Sequence, residues 1–307
     1  MLTVRAPQKP ILSPEEIAAK LGIPAPTPEQ AEVIAAPLEP MVVVAGAGSG
    51  KSETMAGRVV WLVANGFVRP DQVLGLTFTN KAAAELAERV RKRLGQLAAS
   101  GLIPPELLDH EPAVSTYHAY AARLFTDHAL RDGLEPAMRL ATPAVAWQLA
   151  AQVVGQYDGP MDKVDLTPPS VTAAVLELAG ELAEHLCEPD DVRGFGRWLR
   201  DRFAELPGKP IAAQRKVIER QEVREQLLPL VEAYQRLKRE RGLLDHGDQV
   251  ALAARIALRH PEVGAVERGR YAVVLLDEYQ DTSHAQLELL RALYGGGHPV
   301  TAGGDPC

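Results

Sequence analysis

The sequence predicts an α/β protein in which a parallel sheet is combined with an inserted all-helical domain. Short apolar runs alternate with helical patterns early in the chain, and strand-like runs return near its end. Between them, from about residue 120 to 241, only helical periodicity is found. A crossover between parallel strands needs about a dozen residues, so this much longer stretch is better explained as an inserted domain.

Five apolar runs are predicted to form the strands of the sheet. They are rich in β-branched residues or Leu and lack clean alternation, as expected of parallel strands that are covered on both faces. Their order with the helices implies a doubly wound sheet with right-handed crossovers. The strands are expected at residues 41–45, 73–78, 113–116, 271–276 and 299–302, with helices at 52–64 and 81–94 after the first two.

The inserted domain carries its own helix signals. Thr142 and Thr167 each precede a proline, which predicts two helix starts with a capping hydroxyl and Pro in the first turn. An apolar stripe at helical spacing predicts a further helix, which Pro229 should kink or break. The stripe consists of Val223, Leu227, Leu230, Tyr234 and Leu237.

The predicted division assigns residues 1–124 and 243–307 to the sheet domain and 125–242 to the helical domain. Linker signals at these edges are weak. The sequence stops at HPVTAGGDPC, where an apolar strand opens into a turn. We therefore expect this chain to be a fragment of a longer protein.

Composition excludes several classes of protein. No apolar run is long enough to span a bilayer, and the N-terminus lacks the apolar region of a secretory signal. The two cysteines, Cys187 and Cys307, are far apart and favour a reducing cytoplasm over a disulfide framework or a zinc site. The net charge of −7 lowers the odds of a nucleic-acid partner but does not exclude a local basic groove.

The stretch VVVAGAGSGKSET predicts a strand, a phosphate-binding loop and the start of a helix. It matches the pattern G-x-x-x-x-G-K-[ST] except at the first position, which is Ala45. Lys51 would supply a cation for the β- and γ-phosphates, and Ser52 a hydroxyl for Mg²⁺. The alternative, a glycine-rich turn before a surface helix, is disfavoured by the intact strand–loop–helix context. The loop glycines are Gly46, Gly48 and Gly50.

The segment YAVVLLDEYQDTSHAQ supplies the carboxylates that such a loop needs. Its apolar run delivers Asp277 and Glu278 at the carboxyl end of a strand, where ligands bind in open α/β sheets. Asp277 would hold Mg²⁺ directly or through water, and Glu278 would polarise the attacking water. Two solvated acids at a strand end are the alternative, which the pairing with Lys51 and Ser52 makes unfavourable. The residues alone predict an ATP- or GTP-hydrolysing site.

Six segments together resemble superfamily 1 DNA helicases of the UvrD/Rep/PcrA type. LGLTFTNKAAAELAERV and DEYQDT resemble that family closely. TPEQAEVI is similar to its adenine-recognising Q segment, and VSTYHAYAARLF to its TFH segment. GLLDHGDQVALA is similar to its DFDDLL segment, and GGDPC to the start of its VGDxxQSIY segment. Their order, and the helical insertion between the TFH and DFDDLL segments, fit the family along the whole chain.

The resemblance implies a RecA-like P-loop NTPase domain that uses ATP and Mg²⁺. Gln30 would hydrogen-bond adenine, which suits ATP over GTP. Gln280 would sense the γ-phosphate and couple it to DNA, with Gly304 and Asp305 in a similar coupling segment. The implied catalytic residues are Lys51, Asp277, Glu278 and Gln280, and the implied Mg²⁺ ligands are Ser52 and Asp277. Nucleotide contacts are further implied for Ala45, Gly46, Ala47, Gly48, Ser49, Gly50, Lys51 and Ser52.

The resemblance also implies a track for single-stranded DNA. In such a track an aromatic ring stacks on a base, while hydroxyl, amide and ammonium groups hold the backbone. By residue type alone, Phe78 at a strand end is usually a core residue and His118 usually a structural histidine. The implied DNA-binding residues are Phe78, Thr79, Asn80, Lys81, Thr116, Tyr117 and His118.

Three features leave alternatives open. Glu53 stands where many relatives carry a basic residue near the nucleotide, so its charge would weaken or re-route contacts there. The pair Asp245 and Asp248 could bind a metal, although the match to DFDDLL favours a structural or track-lining role. A basic cluster forms either a solvated helix face or a nucleic-acid contact. It consists of Arg89, Arg91, Lys92 and Arg93.

By resemblance, the full protein would translocate 3′→5′ on single-stranded DNA, engage single-strand/duplex junctions and unwind DNA in repair or recombination. A second RecA-like domain would lie in the missing C-terminal half, so the fragment alone should turn ATP over poorly. One alternative is the helicase subunit of a RecB-like helicase–nuclease break-resection machine, with a partner subunit. Others are a nucleotide-gated DNA-binding or scaffold module without unwinding, and an unrelated GTPase switch, for which no guanine recognition is found.

Overall fold

The computed structural model describes residues 12–46, 48–206 and 211–306, which form two compact units. The first, called the sheet unit, is drawn from Met1–Tyr120, His260–Thr282 and Leu290–Cys307. The second, called the helical unit, is drawn from Ala121–Arg259 and Ser283–Leu289. A parallel sheet with many helices confirms the predicted fold class.

All five predicted strands are present in the sheet unit. Every neighbouring pair is parallel, and the spatial order is first, seventh, sixth, second and third in chain numbering. The second and sixth strands are buried along their whole length, as apolar runs without alternation predict. The strands are β1 (Met41–Val44), β2 (Val73–Thr77), β3 (Ala113–Thr116), β6 (Val273–Leu276) and β7 (Val300–Gly304).

The prediction that all strands are covered on both faces is wrong for β1. Val42 is 70% exposed and Val44 is 65% exposed, whereas Met41 and Val43 are half-buried. The exposed residues alternate with the half-buried ones and therefore share one face of β1, which is left uncovered at this outermost strand of the sheet.

Helices flank the sheet in the same unit. Two short helices begin with Pro after a capping box, made by Ser13 with Glu16 and by Thr27 with Gln30. The two predicted helices are present, and the second runs five residues beyond its predicted end at residue 94. The helices are α1 (Pro14–Leu21), α2 (Pro28–Ala35), α3 (Lys51–Ala64), α4 (Asn80–Ala99) and α11 (Pro261–Arg270). Two more helices, α5 (Tyr117–His128) and α12 (His284–Tyr294), contain residues of both units.

The helical unit packs around one apolar core. Its helices are α6 (Pro143–Gln156), α7 (Pro168–Glu184), α8 (Pro189–Ala204), α9 (Ala212–Glu240) and α10 (His246–Arg259). The sequence did not predict the small parallel pair β4 (Arg139–Leu140) and β5 (Leu243–Leu244). Residues 243–259 belong to this unit, because α10 packs against α7, whereas the sequence predicts them in the sheet domain.

Pro229 does not break its helix, so that part of the prediction is wrong. Pro229 lies inside the 29-residue α9, which continues to Glu240. The neighbours Leu228 and Leu230 are fully buried, and Leu227 and Tyr234 from the predicted stripe join the same core. Burial of this face offsets the hydrogen bond that proline cannot donate.

Both predicted helix starts in the insertion are correct. The Thr142 hydroxyl accepts the Val145 N–H at 3.3 Å, as a capping residue should. Thr167 occupies the equivalent position before α7, but its hydroxyl lies 3.0 Å from the Ser170 hydroxyl instead of capping the backbone.

Among the helices that the structure describes, none has the length and apolar character to cross a membrane.

Arg58 joins the segment that enters β1 to helix α3 and strand β7. Its side chain is 0% exposed, and its Nε donates to the Thr301 hydroxyl at 3.1 Å. Its two terminal nitrogens donate to backbone carbonyls at 2.8–3.2 Å, those of Val33, Ile34, Ala36 and Pro37. The five N–H donors of a guanidinium allow this one side chain to hold the connection between α2 and β1 at several points.

Replacing Arg58 should destabilise the sheet unit. The Arg58→Leu change removes the hydrogen bonds to the Ile34 and Ala36 carbonyls and to the buried Thr301 hydroxyl, at about 1–3 kcal/mol each, so we expect the free energy of unfolding to fall by about 3 kcal/mol or more. Chemical denaturation measures this loss. The control is Arg69→Leu, which removes an exposed ion pair with Asp71 and should cost about 1 kcal/mol or less. Equal losses in the two variants would contradict the role of Arg58.

Candidate nucleotide site

The phosphate-loop sequence forms a tight loop between β1 and α3. The strand ends at Val44, and the helix begins at Lys51. Gly48 and Gly50 have φ angles of 80° and 85°, a conformation that residues with a Cβ rarely adopt. Ala47 lies outside the described residues, Ala45, Gly46 and Ser49 lie in the loop, and Ser52 lies in the first turn of α3.

Lys51 is held by the loop itself and by an acid from another strand. Its Nζ donates to the Ala45 carbonyl at 2.9 Å and to the Gly46 carbonyl at 3.5 Å. It also forms an ion pair with Asp305, which follows β7, and the Lys51 side chain is only 8% exposed. The hydrogen bond with Asp305 raises the pKa of Lys51 above its ordinary value. Lys51 is therefore a cation fixed at the mouth of the loop.

Ser52 and Asp277 meet beside this lysine. The Ser52 Oγ donates to Asp277 Oδ2 at 3.4 Å, and the Asp277 N–H donates to the Leu76 carbonyl at 2.9 Å, which continues the sheet pairing by one residue. Burial raises the pKa of Asp277, and the neighbouring charge of Glu278 raises it further. A hydroxyl and a carboxylate at this distance are hard oxygen ligands of the kind that suit Mg²⁺.

No group of three or more His, Cys, Asp or Glu side chains arranged for a metal occurs in the described part of the chain.

Glu278 and Gln280 are linked to Asp305 by hydrogen bonds. Glu278 has a φ of 51°, which is uncommon for a residue with a side chain and is a form of strain found at functional sites. Gln280 Nε2 donates to Glu278 Oε2 at 2.7 Å, and the Asp305 N–H donates to Gln280 Oε1 at 3.1 Å. A Cβ on Gly304 would lie 2.7 Å from Gln280 Oε1, so this glycine permits the contact. The network joins the predicted catalytic acid to Lys51.

Gln30 lies against the phosphate loop. Its Oε1 accepts the Thr27 N–H at 3.0 Å as part of the capping box, and its Nε2 donates to the Ser49 carbonyl at 3.0 Å. Beside it is a cavity of about 400 Å³ with largely apolar walls. The cavity is lined by residues of the α1–α2 region, of α3 and of α4, including Ile17, Pro24, Gln30, Glu53, Trp61 and Arg93.

The residues predicted to bind DNA differ in exposure. Thr79, Asn80 and Lys81 are exposed at the start of α4, where the Thr79 hydroxyl caps the helix by accepting the Ala82 N–H at 3.1 Å. Phe78 is half-buried, and its ring centroid lies 4.7 Å from that of Tyr117. His118 is also half-buried.

Thr116 and Tyr117 are buried, and both make internal hydrogen bonds. The Thr116 hydroxyl accepts the Ala119 N–H at 3.1 Å, and the Tyr117 hydroxyl donates to the Asp277 carbonyl at 3.2 Å. Burial raises the pKa of the Tyr117 phenol, so it remains a donor. Direct contact of the Tyr117 ring with DNA would require it to be uncovered. Sequence reasoning missed the bond to Asp277, which no local pattern indicates.

The charged clusters that the sequence left open form ion pairs. Arg89 and Arg93 both contact Glu53, and Arg91 contacts Glu111, so most of the basic cluster on α4 is engaged within the protein. In the helical unit, Lys238 Nζ lies 2.6 Å from Asp245 Oδ2 and 2.5 Å from Asp248 Oδ2. The lysine takes the place that a metal would have between the two acids, which supports a structural role.

Any phosphate that binds Lys51 must compete with Asp305. The Asp305→Asn change removes this competing charge, and we expect affinity for ATP to rise by about two- to fivefold, as the loss of a partly exposed ion pair would allow. Isothermal titration calorimetry measures the change. The control is Asp109→Asn, an exposed acid in a short helical turn before β3. Weaker binding of ATP by Asp305→Asn would contradict the competition.

Comparison with known proteins identifies the family. Residues 26–307 match the family model described as UvrD/REP helicase N-terminal domain. The chain is 30% identical over 271 residues to ATP-dependent DNA helicase UvrD1 of Mycobacterium leprae, a match that covers 88% of this chain and 30% of that protein. It is 28% identical over 265 residues to ATP-dependent DNA helicase PcrA of Staphylococcus aureus, with 86% and 31% covered. The chain thus spans about 30% of the length of these relatives. On the match to residues 26–307, the chain belongs to the UvrD/REP helicase family.

Proposed function

We propose that this chain is the ATP-binding portion of a DNA helicase that moves 3′→5′ along single-stranded DNA in repair or recombination. The observation that carries the proposal is the assembly of Lys51, Ser52, Asp277 and Glu278 at one edge of a parallel sheet. The names of the relatives, ATP-dependent DNA helicases UvrD1 and PcrA, support the same activity.

ATP hydrolysis would use the residues of this edge in distinct roles. Lys51 would neutralise the β- and γ-phosphates once they displace Asp305. Ser52 and Asp277 would hold Mg²⁺, which when bound supplies charge to the phosphate oxygens. Glu278 would accept a proton from the attacking water, and Gln280 would report the state of the γ-phosphate through its bonds to Glu278 and Asp305.

The nucleotide base is proposed to lie beside Gln30. The cavity there adjoins the phosphate loop through Gln30 and Glu53, and its largely apolar walls suit the faces of a planar base. In this structure Gln30 Oε1 and Nε2 are already bonded to Thr27 and Ser49. A base would therefore exchange one of these bonds for its own. We infer that ATP is preferred over GTP through this glutamine.

DNA is proposed to bind where α4 begins. Thr79, Asn80 and Lys81 offer a hydroxyl, an amide and an ammonium group to the DNA backbone, and Phe78 beside them is half-buried. Thr116 at the end of β3, with Tyr117 and His118 at the start of α5, would support or extend this surface. Because the Tyr117 hydroxyl donates a hydrogen bond to the Asp277 carbonyl, movement of this surface would shift Asp277, the proposed Mg²⁺ ligand.

Alternative functions differ in what they predict. The named relatives are UvrD1 and PcrA helicases, which favours a helicase over the helicase subunit of a RecB-like helicase–nuclease machine. A nucleotide-gated scaffold without unwinding would bind ATP and DNA but would not couple them. We further propose that full activity needs a second RecA-like domain and that the protein acts in the cytoplasm at single-strand/duplex junctions.

ATP hydrolysis by the full-length protein should be strongly stimulated by single-stranded DNA. Lys51→Ala should abolish turnover with or without DNA, because the phosphates lose their fixed cation. Steady-state phosphate release, with a strand-displacement assay beside it, tests this. Hydrolysis that ignores DNA would count against the helicase and in favour of the switch or scaffold alternatives.

Removing Lys81 should weaken DNA binding at all sequences. Its side chain is 86% exposed and contacts only Glu85 at 3.9 Å among the contacts described, so it is free to pair with a phosphate. For Lys81→Ala we expect the slope of log affinity against log salt to fall by about 0.7, the value for one contact to a single strand. Fluorescence anisotropy at several salt concentrations measures it. The control is Lys20→Ala on α1, and an unchanged slope in Lys81→Ala would contradict the proposed track.

A further inference from the structure

Glu53 places a negative charge in an unfavourable position for a phosphate site. It lies in the first turn of α3, two residues after Lys51. A carboxylate there interacts well with the helix dipole, but it repels a polyphosphate bound at the same helix end. Taken alone, this residue should weaken nucleotide binding.

Two arginines from α4 reach this carboxylate. Arg93 Nη2 pairs with Glu53 Oε1, and Arg89 Nη1 lies 3.4 Å from Glu53 Oε2. The Arg93 side chain is only 11% exposed, whereas that of Arg89 is 35% exposed. A guanidinium this well covered depends on its anion, since an unpaired charge in that position is costly. Glu53 is thus the anchor of Arg93.

Arg93 and Glu53 both line the cavity beside Gln30. The other walls come from apolar side chains such as Ile17, Pro24 and Trp61. The cavity therefore presents the Gln30 amide and the Arg93 guanidinium, the latter paired with the Glu53 carboxylate, in largely apolar surroundings. A planar guanidinium is attracted to the face of an aromatic ring and can also donate to ring nitrogens at its edge. This combination suits a purine base better than it suits a phosphate, which would also face the Glu53 carboxylate.

We propose that Glu53 is a positioning residue, which holds the Arg93 guanidinium as the cationic wall of the base cavity, and that Arg93 contacts the base of the bound nucleotide. The proposal rests on the proposed function, which places ATP at this loop. It explains an acid at position 53 as part of the recognition of the base, with the cation supplied by α4.

The proposal and simple electrostatics predict opposite changes in ATP affinity for Glu53→Gln. If Glu53 acted only as a charge beside the phosphates, its neutralisation would tighten binding of every polyphosphate. If it anchors Arg93, the same change releases the guanidinium from the cavity and weakens ATP, while tripolyphosphate, which has no base, binds as well as before or better. Glu53→Asp keeps the charge and should restore part of the ATP affinity.

The experiment compares ATP with tripolyphosphate by calorimetry on the full chain. For Arg93→Leu we expect the Kd for ATP to rise by about three- to thirtyfold, the range of a cation–π contact, with the Kd for tripolyphosphate unchanged. Glu53→Gln should show the same selective loss and serves as the second variant if Arg93→Leu folds poorly. The control is Arg91→Leu on the same helix, an exposed residue paired with Glu111, which should change neither Kd.

Each outcome decides the proposal. Selective loss of ATP in both variants, with partial recovery in Glu53→Asp, supports it. Unchanged ATP binding, equal loss of ATP and tripolyphosphate, or tighter ATP binding in Glu53→Gln overturns it while the proposed function stands. Failure of the unaltered chain to bind ATP would overturn the proposed function itself, and this inference with it.

Discussion

Parallel pairing of β1, β7 and β6 is the constraint on which the candidate site depends. Val44 is in register with Gly304, and Leu276 with Ala302, so the three strands end at one edge of the sheet. The loops that follow carry Lys51, Asp305 and Asp277, which are more than 200 positions apart in the chain at the extremes. Because parallel strands present their carboxyl ends together, residues so distant in sequence meet within hydrogen-bond distance.

The second feature of the site is that its charged groups satisfy one another before any nucleotide is bound. Lys51 pairs with Asp305, and Gln280 bridges Asp305 and Glu278. Of these groups Lys51 is the most covered, and an unpaired charge at its position would be costly. In the proposed function, binding of phosphates would exchange partners within this network. Such an exchange would connect the phosphates to Glu278 and, through the Tyr117 bond to Asp277, to the strand that precedes α5.

The same physical rule explains the charged residues that the sequence left ambiguous. Arg58 donates hydrogen bonds to backbone carbonyls, Lys238 forms ion pairs with two aspartates, and arginines of α4 form ion pairs with Glu53 and Glu111. Each was either unremarked or open to a functional interpretation from its residue type alone. A charge run indicates only that charges are present, because the partner comes from an element that is distant in sequence.

The sequence by itself determined the strands, the main helices of the sheet unit, the phosphate loop and the acids after β6. These follow from local rules: apolar runs, glycines where φ is positive, capping residues and motif spacing. Only the tertiary structure decided that β1 is an exposed edge, that α9 continues through Pro229, that Tyr117 is buried against Asp277, and that Arg93 anchors on Glu53. These outcomes depend on which elements pack together. Packing can override a local secondary-structure preference, and it can pair a charged residue that has no partner nearby in the sequence.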